Sequence, residues 1–212
     1  MKRNGLDYYP TPSWCLYSLM DEIVHDEHPV LNQPLSLLEP SAGRGNLIRA
    51  FHTWVNDHNA DFIHRKKHLW TSYEVDSKHI PYLEKHTDSL CIYGDFLNDD
   101  NEEPFDLAIM NPPYNRAFEF VEKTVRLCDE VWCILRLDWL GSIQRNSWLQ
   151  RNKPNVYVLP NRPSFKGQRN DTCPSAWFVW KKHSKQHTLK VLPVVPLEKR
   201  NQCQEEDRRS HM

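Results

Sequence analysis

Four consecutive residues, Asn111-Pro112-Pro113-Tyr114, combine groups that can act on a flat ring bearing an amino group. They follow a short apolar run, Phe105-Asp106-Leu107-Ala108-Ile109-Met110, long enough for one buried strand. The run cannot continue through them. Two prolines donate no backbone hydrogen bond and fix φ, and Pro112 restricts Asn111 as well. The strand therefore stops in a rigid frame that presents an amide side chain, the Pro112 carbonyl and an aromatic ring. An amide oxygen beside a backbone carbonyl makes a pair of acceptors for an NH2 group. A neighbouring ring can stack on the system carrying that group. Taken alone, the tetrapeptide reads equally well as a Pro-Pro turn after a core strand.

Three other stretches add chemistry. In Leu35-Ser36-Leu37-Leu38-Glu39-Pro40-Ser41-Ala42-Gly43-Arg44-Gly45-Asn46-Leu47, a strand ends at an acid, a small-residue turn follows, and a helix runs to about His58. Two of the chain's six glycines fall in this one turn. Glycine there permits positive φ and close approach of a ligand to the backbone. A second strand, about Leu69 to Tyr73, ends at Glu74, the usual place of an acid that binds ribose hydroxyls in a βαβ nucleoside site. Asp76, two residues on, suits a helix cap. A third strand, Leu90 to Tyr93, runs through Gly94 into Asp95-Phe96, an acceptor and a ring suited to the edge and face of adenine. Near the start, Tyr9-Pro10-Thr11-Pro12 precedes an amphipathic helix from Ser13 to about Glu27. Thr11 can cap that helix with Pro12 at its first position, and a helix N-terminus with a hydroxyl can receive a carboxylate.

The elements that must hold these groups form a repeating pattern. Beyond those named, the spacing predicts helices from about Ser77, over Arg116–Cys128 and over Trp139–Gln150. Strands are expected over Glu130–Leu135, Asn155–Leu159 and Ala176–Lys181. The fold class is α/β, a doubly wound Rossmann-like sheet, mainly parallel, with an antiparallel strand near the C-terminus. Every singled-out loop, at 39–46, 74–76, 94–96 and 111–114, then follows a strand and shares the sheet's carboxyl edge, where ligands bind. Residues 1–197 are expected to form one domain and the polar tail 198–212 to lack fixed structure.

Composition narrows the class. The 212 residues suffice for one α/β core. There is no apolar run of roughly 18 residues for a membrane helix, and residues 1–7 lack the apolar region of a signal peptide. The six cysteines include no C-x-x-C pair, so reduced core thiols in a cytoplasmic protein are expected, with no metal site. Charge is uneven: residues 142–190 carry ten Lys and Arg against a single acid, Asp171. Trp148, Tyr157, Phe165, Trp177, Phe178 and Trp180 are interleaved with them. Cations with aromatics suit phosphates and unstacked bases, although Trp177, Phe178 and Trp180 also read as a strand core.

With these residues in view, the sequence resembles the class I S-adenosylmethionine-dependent methyltransferases. Within them it is similar to the DNA amino-methyltransferases acting on adenine N6, of the small phage and bacterial type, with restriction-modification as an expected setting. Asn111-Pro112-Pro113-Tyr114 matches that group's catalytic motif. Glu39 to Gly45 matches its cofactor loop. The resemblance implies S-adenosylmethionine as cofactor, with Asn111, Pro112 and Tyr114 catalytic. It implies Tyr9, Thr11, Glu39, Ser41, Gly43, Gly45, Glu74, Asp95 and Phe96 as cofactor-binding residues. Arg162-Pro163-Ser164-Phe165-Lys166-Gly167 looks like the family loop whose aromatic packs against the extruded base. Pro113, Phe165, Arg162, Lys166 and Arg169 are accordingly expected at the substrate. The implied partner is DNA, with RNA open, and the implied state a monomer or weak dimer in a bacterial or phage-infected cytoplasm. No segment is long enough for a separate target-recognition domain, so short or relaxed sequence specificity is expected. The same tetrapeptide also occurs in methyltransferases of RNA bases and of protein glutamine. A catalytically silent binding module is a further alternative.

Overall fold

The computed structural model describes residues 9–25, 27–58, 68–85, 89–165, 172–184 and 187–210. Helix α1 (Ser13–Ile23) and a single turn α2 (Pro29–Asn32) lead into strand β1 (Ser36–Glu39) and helix α3 (Asn46–His58). Strand β2 (Leu69–Glu74), the turn α4 (Ile80–Leu83) and strand β3 (Ser89–Tyr93) follow. Strand β4 (Phe105–Met110), helix α5 (Ala117–Leu127), strand β5 (Cys128–Arg136), helix α6 (Ile143–Arg151) and strand β6 (Asn155–Val158) come next. Strands β7 (Ser175–Lys181) and β8 (Leu189–Val191) and helix α7 (Leu197–Arg209) complete the described elements.

The strands make one sheet in the order β3-β2-β1-β4-β5-β7-β6-β8. Strands β1 to β5 pair in parallel, and β7 is antiparallel to both β5 and β6. The order reverses between β1 and β4, which opens a crevice at their carboxyl ends. This is the doubly wound, mainly parallel sheet expected from the sequence.

The strand sequences explain why both faces are covered. Adjacent residues in a strand face opposite ways, and in β1, β4 and β7 both sets are apolar. Leu37, Ile109 and Trp177 enter a core with α1, α3 and α7, while Leu38, Met110 and Phe178 enter a core with α5. Helix α3 buries Leu47, Ile48, Phe51, Trp54 and Val55, and α5 buries Ala117, Phe120, Val121, Thr124 and Leu127. Both sets follow a helical repeat.

Several expectations need correction. The tail 198–212 is not without structure over its described length: α7 spans Leu197–Arg209 and buries Cys203 and Asp207. Its polar sequence hides this because only two side chains are buried and one of those is charged. Helix α1 ends at Ile23, since Val24 is already extended. The helix from about Ser77 shrinks to Ile80–Leu83. The one over Trp139–Gln150 is broken at Gly141 into a 3-10 turn, Leu137–Leu140, and α6. Strand β8 was not anticipated; three exposed residues pairing in parallel with β6 give no periodicity to detect. The aromatics of the basic segment are largely core: Trp177 and Phe178 are fully buried and Phe165 and Trp180 nearly so.

Candidate functional site

The loops after β1, β2, β3 and β4 meet around a cavity of about 360 Å³ at the carboxyl edge, within the usual range for small-molecule sites. The lining includes Tyr9, Thr11, Glu39, Ser41, Gly43, Glu74, Asp95, Phe96, Asn111, Pro112, Pro113 and Tyr114. Gly45 shapes the turn without lining the cavity. Its φ is 75° and that of Gly43 is 56°, values that side chains disfavour.

Glu74 fastens three of the loops. One carboxylate oxygen accepts the Gly43 N–H at 2.7 Å and the other accepts the Asp76 N–H at 2.8 Å. Its backbone carbonyl accepts the Gly94 N–H at 2.9 Å. A carboxylate offers about four acceptor positions, so two remain for hydroxyls in the cavity. Asp76 is not the helix cap expected of it: the short helix starts at Ile80 with His79 as its cap residue, and Asp76 accepts the Lys78 N–H at 3.0 Å in the turn before it.

Glu39 is 2 % exposed, and its Oε2 has no hydrogen-bond partner among the described residues. Burial pushes its carboxyl well above the ordinary carboxylate range and the Glu74 charge adds to this; the Ile48 N–H and Arg49 pull the other way. An unpartnered buried acceptor on the wall of a cavity suits a cationic donor.

Asp95 accepts the Leu97 N–H at 3.0 Å and the Arg116 guanidinium at 2.7 Å. Burial alone would raise its carboxyl; the Arg116 hydrogen bond, the Leu97 N–H and the charges of Arg116 and Lys123 outweigh it and hold it below the usual range. Phe96 is buried edge-on against Tyr73, with the Lys123 ammonium 4.5 Å from its ring centre.

The Asn111 amide is oriented from the N-terminal side. Its Nδ2 donates to Thr11 Oγ1 at 2.9 Å and to the Tyr9 carbonyl at 3.3 Å. A carbonyl can only accept, so the NH2 must face Tyr9 and the amide oxygen must point elsewhere. The Asn111 carbonyl accepts from Ser41 Oγ at 3.2 Å, and the Pro113 carbonyl accepts the Arg116 N–H at 3.0 Å. Tyr114 stacks on Tyr9 with ring centres 5.8 Å apart.

Thr11 therefore does not cap α1. Pro12 is the cap residue, and no side chain of the first turn caps the helix. The Ser13 N–H donates to Asp207 Oδ2 at 3.0 Å. The helix start read as a carboxylate site thus holds a carboxylate from the chain itself.

The described part of the expected base-packing loop, residues 162–165, does not line the cavity. Phe165 is 4 % exposed, in the core on the α1 side, because an aromatic beside the sheet gains more from burial than from waiting at a surface. Arg162 is exposed and donates to the Thr172 carbonyl at 3.0 Å. Lys166 and Arg169 lie outside the described residues. Arg116 also lines the cavity and was not singled out from the sequence. The available signal was a lone cation two places after the tetrapeptide, among loops rich in acids.

No protein-family model and no curated protein matches the sequence. Solved structures do. The methyltransferase subunit of a type I restriction-modification system from Streptococcus thermophilus superposes with a TM-score of 0.66 at 12% identity, over 96% of this chain and 54% of that one. A Listeria monocytogenes protein assigned as a class I S-adenosylmethionine-dependent methyltransferase gives 0.59 at 14% identity, over 85% and 62%. A Pyrococcus horikoshii protein assigned as an RNA methyltransferase gives 0.58 at 18% identity, over 85% and 90%. The chain spans little more than half the length of the first two. At such identities the likeness establishes the fold, that of class I methyltransferases.

Proposed function

We propose that this protein transfers a methyl group from S-adenosylmethionine to adenine N6 in nucleic acid, DNA in the first place, with short or relaxed sequence specificity. The observation that carries the reading is the oriented Asn111 amide, whose NH2 is held by Thr11 and Tyr9 so that its oxygen is left as an acceptor. The cofactor fits the residues present. Four carboxylates line the cavity, those of Glu39, Glu74, Asp76 and Asp95, and S-adenosylmethionine carries two cationic centres. Glu39 offers a buried acceptor for an ammonium, Glu74 acceptors for ribose hydroxyls, and Asp95 with Phe96 an edge and a ring for adenine. The turn at Gly43 allows close backbone approach.

When bound, S-adenosylmethionine supplies an electrophilic methyl on a sulfonium. The chain's own residues prepare the nucleophile. Adenine N6 is weak because its lone pair is delocalised into the ring. The Asn111 oxygen and the Pro112 carbonyl accept its two hydrogens and favour a pyramidal nitrogen. As N6 gains positive charge the same dipoles would stabilise it without reorganising; the N–C bond would form as the methyl parts from the sulfonium sulfur, and the N6 proton would then pass to water. Tyr114 stacks on the base and holds N6 in line; positioning of this kind contributes up to ~7–11 kcal/mol. A base inside a duplex cannot reach the cavity, so it enters flipped or from a single strand.

Three neighbours bear on the polymer. Restriction-modification subunits favour DNA, while the Pyrococcus protein, matched over nearly its whole length, keeps RNA as the second reading. Incubation of DNA and RNA pools with labelled S-adenosylmethionine, followed by nucleoside mass spectrometry, decides. N6-methyladenosine in RNA alone would replace the DNA reading, and label in neither pool would end both.

A further inference from the structure

The cavity has a charge problem that one side chain addresses. Four carboxylates line it, and among the lining residues the one arginine or lysine is Arg116. That lining suits a cationic cofactor and repels a phosphodiester. An adenine delivered to Asn111 nevertheless brings its own phosphates to the mouth. Arg116 is the cation among the cavity's lining residues. It closes the 3-10 turn that Tyr114 opens, two residues away, roughly 4 Å along the turn. Its side chain is 42% exposed.

We propose that Arg116 binds a phosphate of the target nucleotide, with Asp95 holding its guanidinium in place. This inference rests on the nucleic-acid reading above. The Asp95 bond, 2.7 Å to Nη1, engages one of five donors in a planar fork. The fork geometry matches phosphate oxygens. Asp95 is itself fixed by the Leu97 N–H, so the arginine is steered from a rigid turn. A base stacked on Tyr114 and a phosphate on Arg116 would define the nucleotide at both ends.

The basic segment was expected from the sequence to meet phosphates, but the topology carries its Arg151 away from the carboxyl edge and makes it a control. Strand β6 is parallel to β5, because both are antiparallel to β7. Helix α6, which joins them, must return toward the amino side of the sheet. Its last residue, Arg151, is exposed and leads into β6, three places from β4 in the sheet order, roughly 14 Å across.

The test is fluorescence anisotropy of an adenine-containing single-stranded DNA oligonucleotide over a salt series, with S-adenosylmethionine affinity measured in parallel. In Arg116→Gln the log–log salt slope should fall by about 0.7 and oligonucleotide affinity by about tenfold, with cofactor affinity within threefold of wild type. Arg116→Lys should recover most of the slope. Arg151→Gln, which removes the same charge, should leave it unchanged. An unchanged slope in Arg116→Gln, or an equal fall in Arg151→Gln, overturns the proposal. So does a loss confined to cofactor affinity, which would make Arg116 only the counter-ion of Asp95. Wild-type protein that binds the oligonucleotide but makes no methyladenine would defeat the methyl-transfer reading and leave this one standing. Protein that binds no oligonucleotide defeats both.

Discussion

Asp207 caps a helix that begins 194 residues earlier: its Oδ2 accepts the Ser13 N–H at 3.0 Å. Its Oδ1 meets Arg49 Nη2 of α3 at 2.9 Å, and its residue is 9 % exposed. One carboxylate thus joins α7, α1 and α3. Removing it leaves a buried donor and a cation without their acceptor. Asp207→Ala should cost about 2–3 kcal/mol, and Asp207→Asn, which keeps one acceptor oxygen, should cost less. Chemical denaturation measures both. Equal stability of Asp207→Ala and wild type would mean that the links from Asp207 to Ser13 and Arg49 contribute nothing to the fold.

Asn111 tests the chemistry and Thr11 tests its preparation. Asn111→Ala should remove most methyl transfer while leaving S-adenosylmethionine binding near normal. Asn111→Asp should retain more, since a carboxylate also accepts. Thr11→Ala removes the nearer of the two acceptors that orient the amide, 2.9 Å away. A loss of about tenfold in kcat, with Thr11→Ser close to wild type, is expected for a mispositioned group worth about 1.4 kcal/mol. Turnover of Asn111→Ala within a few-fold of wild type would remove Asn111 from the mechanism.

Legibility in the sequence followed the range of the interaction. Strands announced themselves because Leu37-Leu38, Ile109-Met110 and Trp177-Phe178 are apolar on both faces, a local pattern. The site loops were legible for a related reason: Glu39, Glu74, Asp95 and Asn111 each stand at or just beyond a strand end, and parallel pairing brings strand ends together. What stayed hidden depends on distant partners. Nothing near Thr11 reveals that it serves Asn111 rather than α1, and nothing near Asp207 reveals Ser13. Phe165 was assigned by resemblance to a loop, and the packing of this chain placed it in the core instead.

Glu74 joins the loops after β1, β2 and β3 and is also the expected ribose ligand. Glu74→Ala should therefore weaken S-adenosylmethionine by about 1–3 kcal/mol and lower thermal stability as well, because the Gly43 and Asp76 N–H groups lose their acceptor. Calorimetric titration and a melting curve separate the two effects. Unchanged cofactor affinity would move the ribose ligand elsewhere.

His68 ties stability to pH. It is 5 % exposed, and its Nδ1 accepts the Leu35 N–H at 3.3 Å, so the neutral ring is the one that fits. Burial, helped by His52, lowers its pKa from 6.5 to about 4. The unfolded chain then binds more protons than the folded one between those values. Stability from this group is complete above about 6.5 and is lost as pH falls toward 4. Denaturation midpoints across that window should drop in wild type and drop less in His68→Gln. Identical slopes would assign the acid sensitivity to other groups.

Glu39 makes a prediction about protons at the proposed cofactor site. Its carboxyl is held well above the ordinary range by burial and then by the Glu74 charge, a shift toward the neutral form. A cationic ammonium placed against Oε2 would favour the carboxylate and expel the proton. Binding of S-adenosylmethionine is thus expected to release protons wherever the free carboxyl still holds one, and to tighten as pH rises through that range. Titration calorimetry in buffers of different ionisation enthalpy reads the number released. In Glu39→Gln the release should vanish and affinity should fall, because an amide keeps the shape of the acceptor without its charge. S-adenosylhomocysteine retains the ammonium and lacks the sulfonium, so it should release the same protons. If it released none while S-adenosylmethionine did, the group facing Glu39 would be the sulfonium, and the amino-acid end of the cofactor would lie elsewhere in the cavity.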